Sequence, residues 1–184
     1  MTIEEANRAY NEYINSHILA VIDSFEELAK LEDSFIVQHE SLLRDIIMCH
    51  DASKYSEEEY NAYRKRFYPA DGEVGTFNFK AAWEHHFSNN PHHWQYYCIQ
   101  TLTGEYKLKQ NIDLDTYKIS CVEMICDWCA MSRQFSNRVK DYYNDNKSYM
   151  VLYQPAVPFI EYMIELIDTN ELDITPSKDI KKEL

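Results

Sequence analysis

Apolar positions recur at three- and four-residue spacing from about Thr2 to Leu31, at Tyr10, Tyr13, Ile14, Ile18, Val21, Phe25 and Leu28. That spacing returns side chains to one face of a helix, so it predicts an amphipathic helix with His17 on its inward stripe. A second helix is predicted from about Ser34 to Cys49, with Leu43, Ile46 and Ile47 inward. His50 follows Ile46 by four residues and therefore points at the core from the end of that helix. Ser56, followed by Glu57, Glu58 and Glu59, reads as an N-cap with acids in the first turn, opening a helix to about Phe67. Pro69 to Thr76, with Gly72 and Gly75, reads as a loop, and Phe77 to Phe87 as a helix broken by Asn89-Asn90-Pro91. Pro91 stands just ahead of a further predicted helix, His92 to about Leu102, and Gly104 to Asp113 is polar and irregular. A long helix from about Leu114 to Phe135 carries Cys121, Ile125, Trp128 and Phe135 on one face and Met124, Asp127 and Met131 beside it. Beyond Asn144-Asp145-Asn146 the pattern predicts a loop closed by Pro155 and Pro158, then an amphipathic helix to about Ile167. The charged tail from Asp168 is expected to fray.

Composition agrees with that reading. With 3 glycines in 184 residues, a turn-rich sandwich, a glycine-rich phosphate loop and a dinucleotide fold are all disfavoured, while 45% hydrophobic residues suffice for a core. The expected fold is all-α, one helical domain over residues 1–184, with no internal repeat and no linker. The net charge of −13 narrows the partners. Such a surface repels phosphate backbones, and the one dense basic stretch, Arg64-Lys65-Arg66, is short and close to Glu57, Glu58 and Glu59, so no duplex nucleic acid is expected as a partner. The same acidity admits another reading, an acidic binding protein that occupies another protein's nucleic-acid site. No apolar run is long enough to span a membrane and the first residues lack a signal-peptide pattern, so a cytoplasmic protein with reduced cysteines is expected.

Candidate chemistry is concentrated in the histidines. Five of seven fall between His50 and His93, in the groups His50-Asp51, His85-His86 and His92-His93. Imidazole with carboxylate suits first-row divalent ions, and a buried acid among histidines is costly without a cation, so a metal site is favoured over satisfied core histidines. His39 shares a face with Leu43, Ile46 and His50 and competes with His17 for the first ligand position. His85 and His86 point about 100° apart on a helix, so one of them, preferably His86, faces the site. Lys54 is a candidate phosphate-binding point charge or a helix-capping cation, and Arg133 is a second candidate for phosphate. Trp83, Trp94 and Trp128 read first as core, with Trp94 also a candidate for stacking on substrate. Cys126 and Cys129, mid-helix and flanking Asp127, read as buried thiols rather than as half of a zinc site.

The order His17, His50-Asp51, His86, His92-His93, Asp127 is similar to the ligand order of the HD-domain superfamily of metal-dependent phosphohydrolases. His50-Asp51-Ala52-Ser53-Lys54 resembles the His-Asp-x-Gly-Lys element of its cyclic-dinucleotide phosphodiesterase branch, with Ser53 in place of the glycine. Three stretches resemble the DUF5662 family of bacterial and phage proteins more closely: His50 to Tyr55, Ala82 to Trp94, and Met124 to Ser132. The resemblance implies an HD-like helical bundle with His17, His50, Asp51 and Asp127 around one divalent ion (Mn, Fe, Zn, Co or Mg). It implies His86, His92 and His93 as the arm for a second ion, with Asp51 bridging and catalytic. The reaction expected from it is hydrolysis of a phosphomonoester or phosphodiester, with a nucleotide as the substrate class. Lys54 would be catalytic beside Asp51, and Lys54, Arg133 and Trp94 would be on the substrate. An oxygenase with two irons on the same ligands is the alternative enzyme.

Overall fold

The computed structural model describes residues 1–74 and 79–174. Helix α1 (Ile3–Ala29) opens with a reciprocal cap in which Thr2 Oγ1 accepts from Glu5 N and Glu5 Oε2 accepts from Thr2 N, satisfying two N-terminal donors at once. Helix α2 (Ser34–Met48) starts at Asp33, whose carboxylate accepts from the backbone N–H groups of Phe35 and Ile36. A 3-10 turn, Ala52–Tyr55, leads to α3 (Tyr60–Phe67) and α4 (Phe79–Asn89). After a second 3-10 turn, Trp94–Tyr97, come strands β1 (Cys98–Gln100) and β2 (Tyr106–Leu108), then α5 (Leu114–Phe135), α6 (Val139–Asn146) and α7 (Val157–Thr169). The chain is 69% helical, an all-α bundle with one two-stranded sheet among the described residues.

Helix α5 is the axis. It packs on α1, α2, α6 and α7, and is buried on nearly every side from Tyr117 to Ala130. Its Val122 and Ile125 share the larger core with Val21 and Phe25 of α1, Leu43 and Ile47 of α2, and Ile160, Met163 and Ile167 of α7. A smaller core joins the first half of α1 (Tyr10, Ile14) to Ala62, Tyr63 and Ala82 of α3 and α4. His17 lies on α1 between the two cores.

Three expectations are corrected, and one element was not anticipated. Residues 92–102 do not form a helix: Cys98 pairs with Leu108 and Gln100 with Tyr106 in an antiparallel hairpin. The β-branched residues Ile99, Thr101 and Thr103 favour the extended strand and its turn, and Gly104 supplies the positive φ of 84° that the turn requires. Ser56 does not cap α3, because Glu59 turns into the interior and the helix begins only at Tyr60. The stretch after Phe135 holds α6, a short helix that hydrophobic periodicity did not reveal. Nor does the chain fray at Asp168: Asp168 accepts from Arg138, and Asp173, buried, accepts from Val139 N at 2.8 Å. The expected start of α4 at Phe77 and the last part of the tail, residues 175–184, lie outside the described residues. No helix among the described residues is long and apolar enough to cross a membrane.

Candidate metal centre

Side chains from five separate segments, α5 among them, meet in one place. His17 comes from α1, His50 and Asp51 from the turn ending α2, His86 from α4, His92 and His93 from the turn after it, and Asp127 from α5. Asp51 sits at φ 56°, a left-handed conformation that Asp tolerates better than most residues. That reversal lets His50 and Asp51, adjacent in sequence, both point inward.

The two carboxylate oxygens of Asp51 face different neighbours. Oδ2 lies 3.5 Å from His17 Nε2 and 3.6 Å from His50 Nε2, while Oδ1 lies 3.3 Å from His86 Nε2 and 3.5 Å from His92 Nε2. His17 Nε2 is also 3.2 Å from Asp127 Oδ1 and 3.3 Å from His50 Nε2. Donor atoms around one ion at about 2.0–2.2 Å stand about 3.0–3.5 Å apart, so this spacing is that of neighbouring ligands.

The opposite edges of the rings are fixed by carboxylates. His50 Nδ1 donates to Glu123 Oε1 at 2.9 Å, and His92 Nδ1 lies 3.0 Å from the same oxygen, off the line of a hydrogen bond. His86 Nδ1 donates to Glu59 Oε2 at 2.8 Å, and His85 takes the other oxygen of Glu59 at 2.7 Å. A proton held on Nδ1 leaves the Nε2 lone pair free to coordinate, the arrangement in which a carboxylate behind a histidine orients it for a metal.

The electrostatics require positive charge. Asp51, Glu59 and Glu123 are buried and Asp127 largely so, and Lys54, 2.5 Å from Asp51 Oδ2, is the one ammonium among them. Burial would raise Asp51, but Lys54 and His50 outweigh it and hold its carboxyl well below the usual range. Burial likewise works against charge on Asp127, and the contact with His17 reverses this and lowers its pKa. Burial would lower His17 and His92, yet Asp127 and Asp51 raise the first, and Asp51 and Glu123 raise the second to about 10. His93 is depressed by burial and by the neighbouring His92 and His86, which keeps it neutral.

Three groups of donor atoms could each hold an ion: Asp51 with His86, His92 and His93; His17 with His50 and Asp51; and His50 with His92 and Asp127. The fit is supported by what lacks a partner. Asp51 Oδ1, His92 Nε2 and His93 Nε2 are buried without a hydrogen bond, a costly state that coordination would relieve. All seven predicted ligands are therefore in one place.

The other candidates divide. His39 bonds Phe35 O at 2.9 Å and packs tilted against the Phe35 ring, so His17 takes the position for which the two competed. Lys54 is at the centre, engaged by Asp51. Arg133 corrects an expectation: its guanidinium is buried against Glu27 at 2.7 Å and the carbonyl of Leu172, so it ties α5 to α1 and the C-terminal turn and is not free for phosphate. Trp94 lines a cavity of about 330 Å³ whose wall also includes His92, His93 and Asp127. Cys126 and Cys129 are buried in α5, and burial pushes both thiols up.

Sequence reasoning missed Glu123 and Glu59. Glu123 had a signal, an acid four residues before Asp127 inside an otherwise apolar run. Glu59 was hidden among three consecutive glutamates.

The model of a family of unknown function, DUF5662, matches residues 6–166. The chain belongs to this family. The matched span of this DUF5662 protein runs from α1 into α7 and includes all seven candidate ligands together with Glu59 and Glu123. Comparison with curated proteins and with solved structures finds no match.

Proposed function

We propose that this DUF5662 protein is a metal-dependent phosphohydrolase of the HD-domain type, cleaving a phosphomonoester or phosphodiester, with a nucleotide as the substrate class. The observation that carries the reading is the convergence of His17, His50, His86 and His92 Nε2 atoms on the two oxygens of one buried aspartate. Because those oxygens face different histidines, His17, His50, Asp51 and Asp127 would hold one ion, and Asp51 with His86, His92 and His93 would hold a second. A divalent ion bound there would lower the pKa of a coordinated water and neutralise phosphoryl oxygens. The chain's own contribution is positional. Glu123 and Glu59 fix the tautomers and directions of the rings, Lys54 balances the charge of Asp51, and the cavity wall at Asp127, His92 and His93 presents the cluster to a substrate.

The test is phosphate release from a panel of nucleotides and simple phosphate esters by protein loaded with Mn, Co, Mg, Zn or Fe(II). Release that disappears in the Asp51→Asn variant supports the reading, and no release by protein with demonstrated bound metal would sink it. The second reading, an oxygenase with two irons, draws on a different observation: among the described residues no Lys or Arg lines the cavity, so an organic substrate without phosphate also fits. Iron in the purified protein with a mixed-valence paramagnetic signal would favour it; exclusive Mn or Zn would remove it.

A further inference from the structure

The cavity beside the metal centre has a composition unlike the rest of this acidic chain. The protein has three tryptophans, and Trp83, Trp94 and Trp128 all line this one space. They come from α4, the turn after it and α5. Each packs against another ring: Trp83 against Phe87 at 5.6 Å, Trp94 against Tyr106 at 5.1 Å, and Trp128 against Tyr142, itself part of the wall, at 5.4 Å. Phe135, which is 57% exposed, also lines the cavity and marks where it meets solvent. Among the described residues no Lys or Arg contributes to the wall. Gln95 does, and its Oε1 is buried without a hydrogen-bond partner. A terminal carboxamide torsion is soft, so a small turn of that group brings an acceptor to a ligand.

We propose that this cavity is a subsite for a planar, uncharged aromatic ring carrying a hydrogen-bond donor, seated among the tryptophans with the donor on Gln95. A volume of about 330 Å³ is at the lower end of the range for small-molecule pockets and takes one ring system rather than a long chain. Three rigid indoles offer large stacking faces at little entropic cost. The wall carries the Asp127 carboxylate and, among the described residues, no Lys or Arg, which in a protein of net charge −13 selects against rings that carry their own anionic group. The inference rests on the hydrolase reading only in supplying a substrate; it specifies which part of that substrate the cavity holds, and excludes a polyphosphate tail from it.

The test uses the indole N–H signals of the full-length protein labelled with 15N, one signal per tryptophan, in the presence of a chelator. Adenosine and benzamide are expected to shift all three in a saturable way. Benzoate, the anionic counterpart of benzamide, should bind about tenfold more weakly or worse, and ribose 5-phosphate should leave the signals unmoved. Phe135→Ala, an exposed position, should weaken adenosine severalfold with an unchanged thermal melt. Benzoate binding as well as benzamide, or no saturable shift with either neutral ring, overturns the inference. Neither result depends on phosphate release. Protein that binds adenosine and hydrolyses nothing keeps the subsite and loses the hydrolase, and protein that cleaves aliphatic esters while ignoring every ring does the reverse.

Discussion

Asp51 and Glu123 show how much depends on single side chains. Asp51 presents one oxygen to His17 and His50 and the other to His86 and His92, so no residue with a single acceptor replaces it. Glu123 never points its oxygens at the ion position; it holds His50 and sits against His92 from behind. Glu123→Gln keeps the shape but removes the charge that favours Nδ1 protonation, and metal affinity measured by chelator competition is expected to fall about 10- to 100-fold. An unchanged affinity would show that the rings are oriented by packing alone. His17 and His50 are legible from sequence because helical spacing places each of them inward, with Asp51 beside His50, whereas His86 and Asp127 enter as ligands through the resemblance in ligand order. Glu123 and Glu59 are less legible, since a carboxylate looks alike in sequence whether it faces solvent or an imidazole.

Among the elements, α5 carries both the core and the site, with Ile125 fully buried two residues before Asp127. Ile125→Ala removes buried methylenes from the larger core and is expected to destabilise the fold by about 2–5 kcal/mol in urea unfolding. The Asp33 carboxylate caps α2 and accepts from Tyr162 of α7 at 2.8 Å. Asp33→Ala should cost about 1 kcal/mol in the same measurement. Buried Arg64 of α3 pairs with Glu73 in the loop that follows, and this bond together with Ala70 N lowers the Glu73 pKa from 4.5 to about 2. A depressed carboxyl contributes stability that is complete above its unfolded value and is lost as pH falls through the folded one. The urea midpoints of wild type and Glu73→Gln should therefore differ by a constant amount above about pH 4.5 and converge as the pH approaches about 2. Periodicity revealed the long helices, but not the hairpin of β1 and β2 or the short α6, whose lengths give too few repeats to register.

At the scale of the whole molecule, the candidate centre is placed where the larger and smaller cores meet along α1, so ligands from α1, α4, α5 and two turns are held by both. An ion that binds the folded arrangement and not the unfolded chain stabilises it by mass action, about 2.7 kcal/mol at a hundredfold excess over the dissociation constant. Thermal melts should therefore move up with added Mn or Zn, move down with a strong chelator, and respond to neither in Asp51→Asn. A melting temperature indifferent to metal in the wild type would count against the site itself.

The sequence alone determined the helical class, because scarce glycine and sustained three-to-four spacing leave few alternatives, and with the family resemblance it narrowed the candidate ligands to a few histidines and aspartates, leaving His17 against His39 and His85 against His86 open. The tertiary structure decided what distances along the chain do not encode. It split the oxygens of Asp51 between two sets of histidines, put Glu123 and Glu59 behind the rings, turned Arg133 away to Glu27, and gathered three distant tryptophans around one cavity. Each of these depends on the relative rotation of packed helices, which is set by the fit of the two cores and not by the spacing of residues within any one helix.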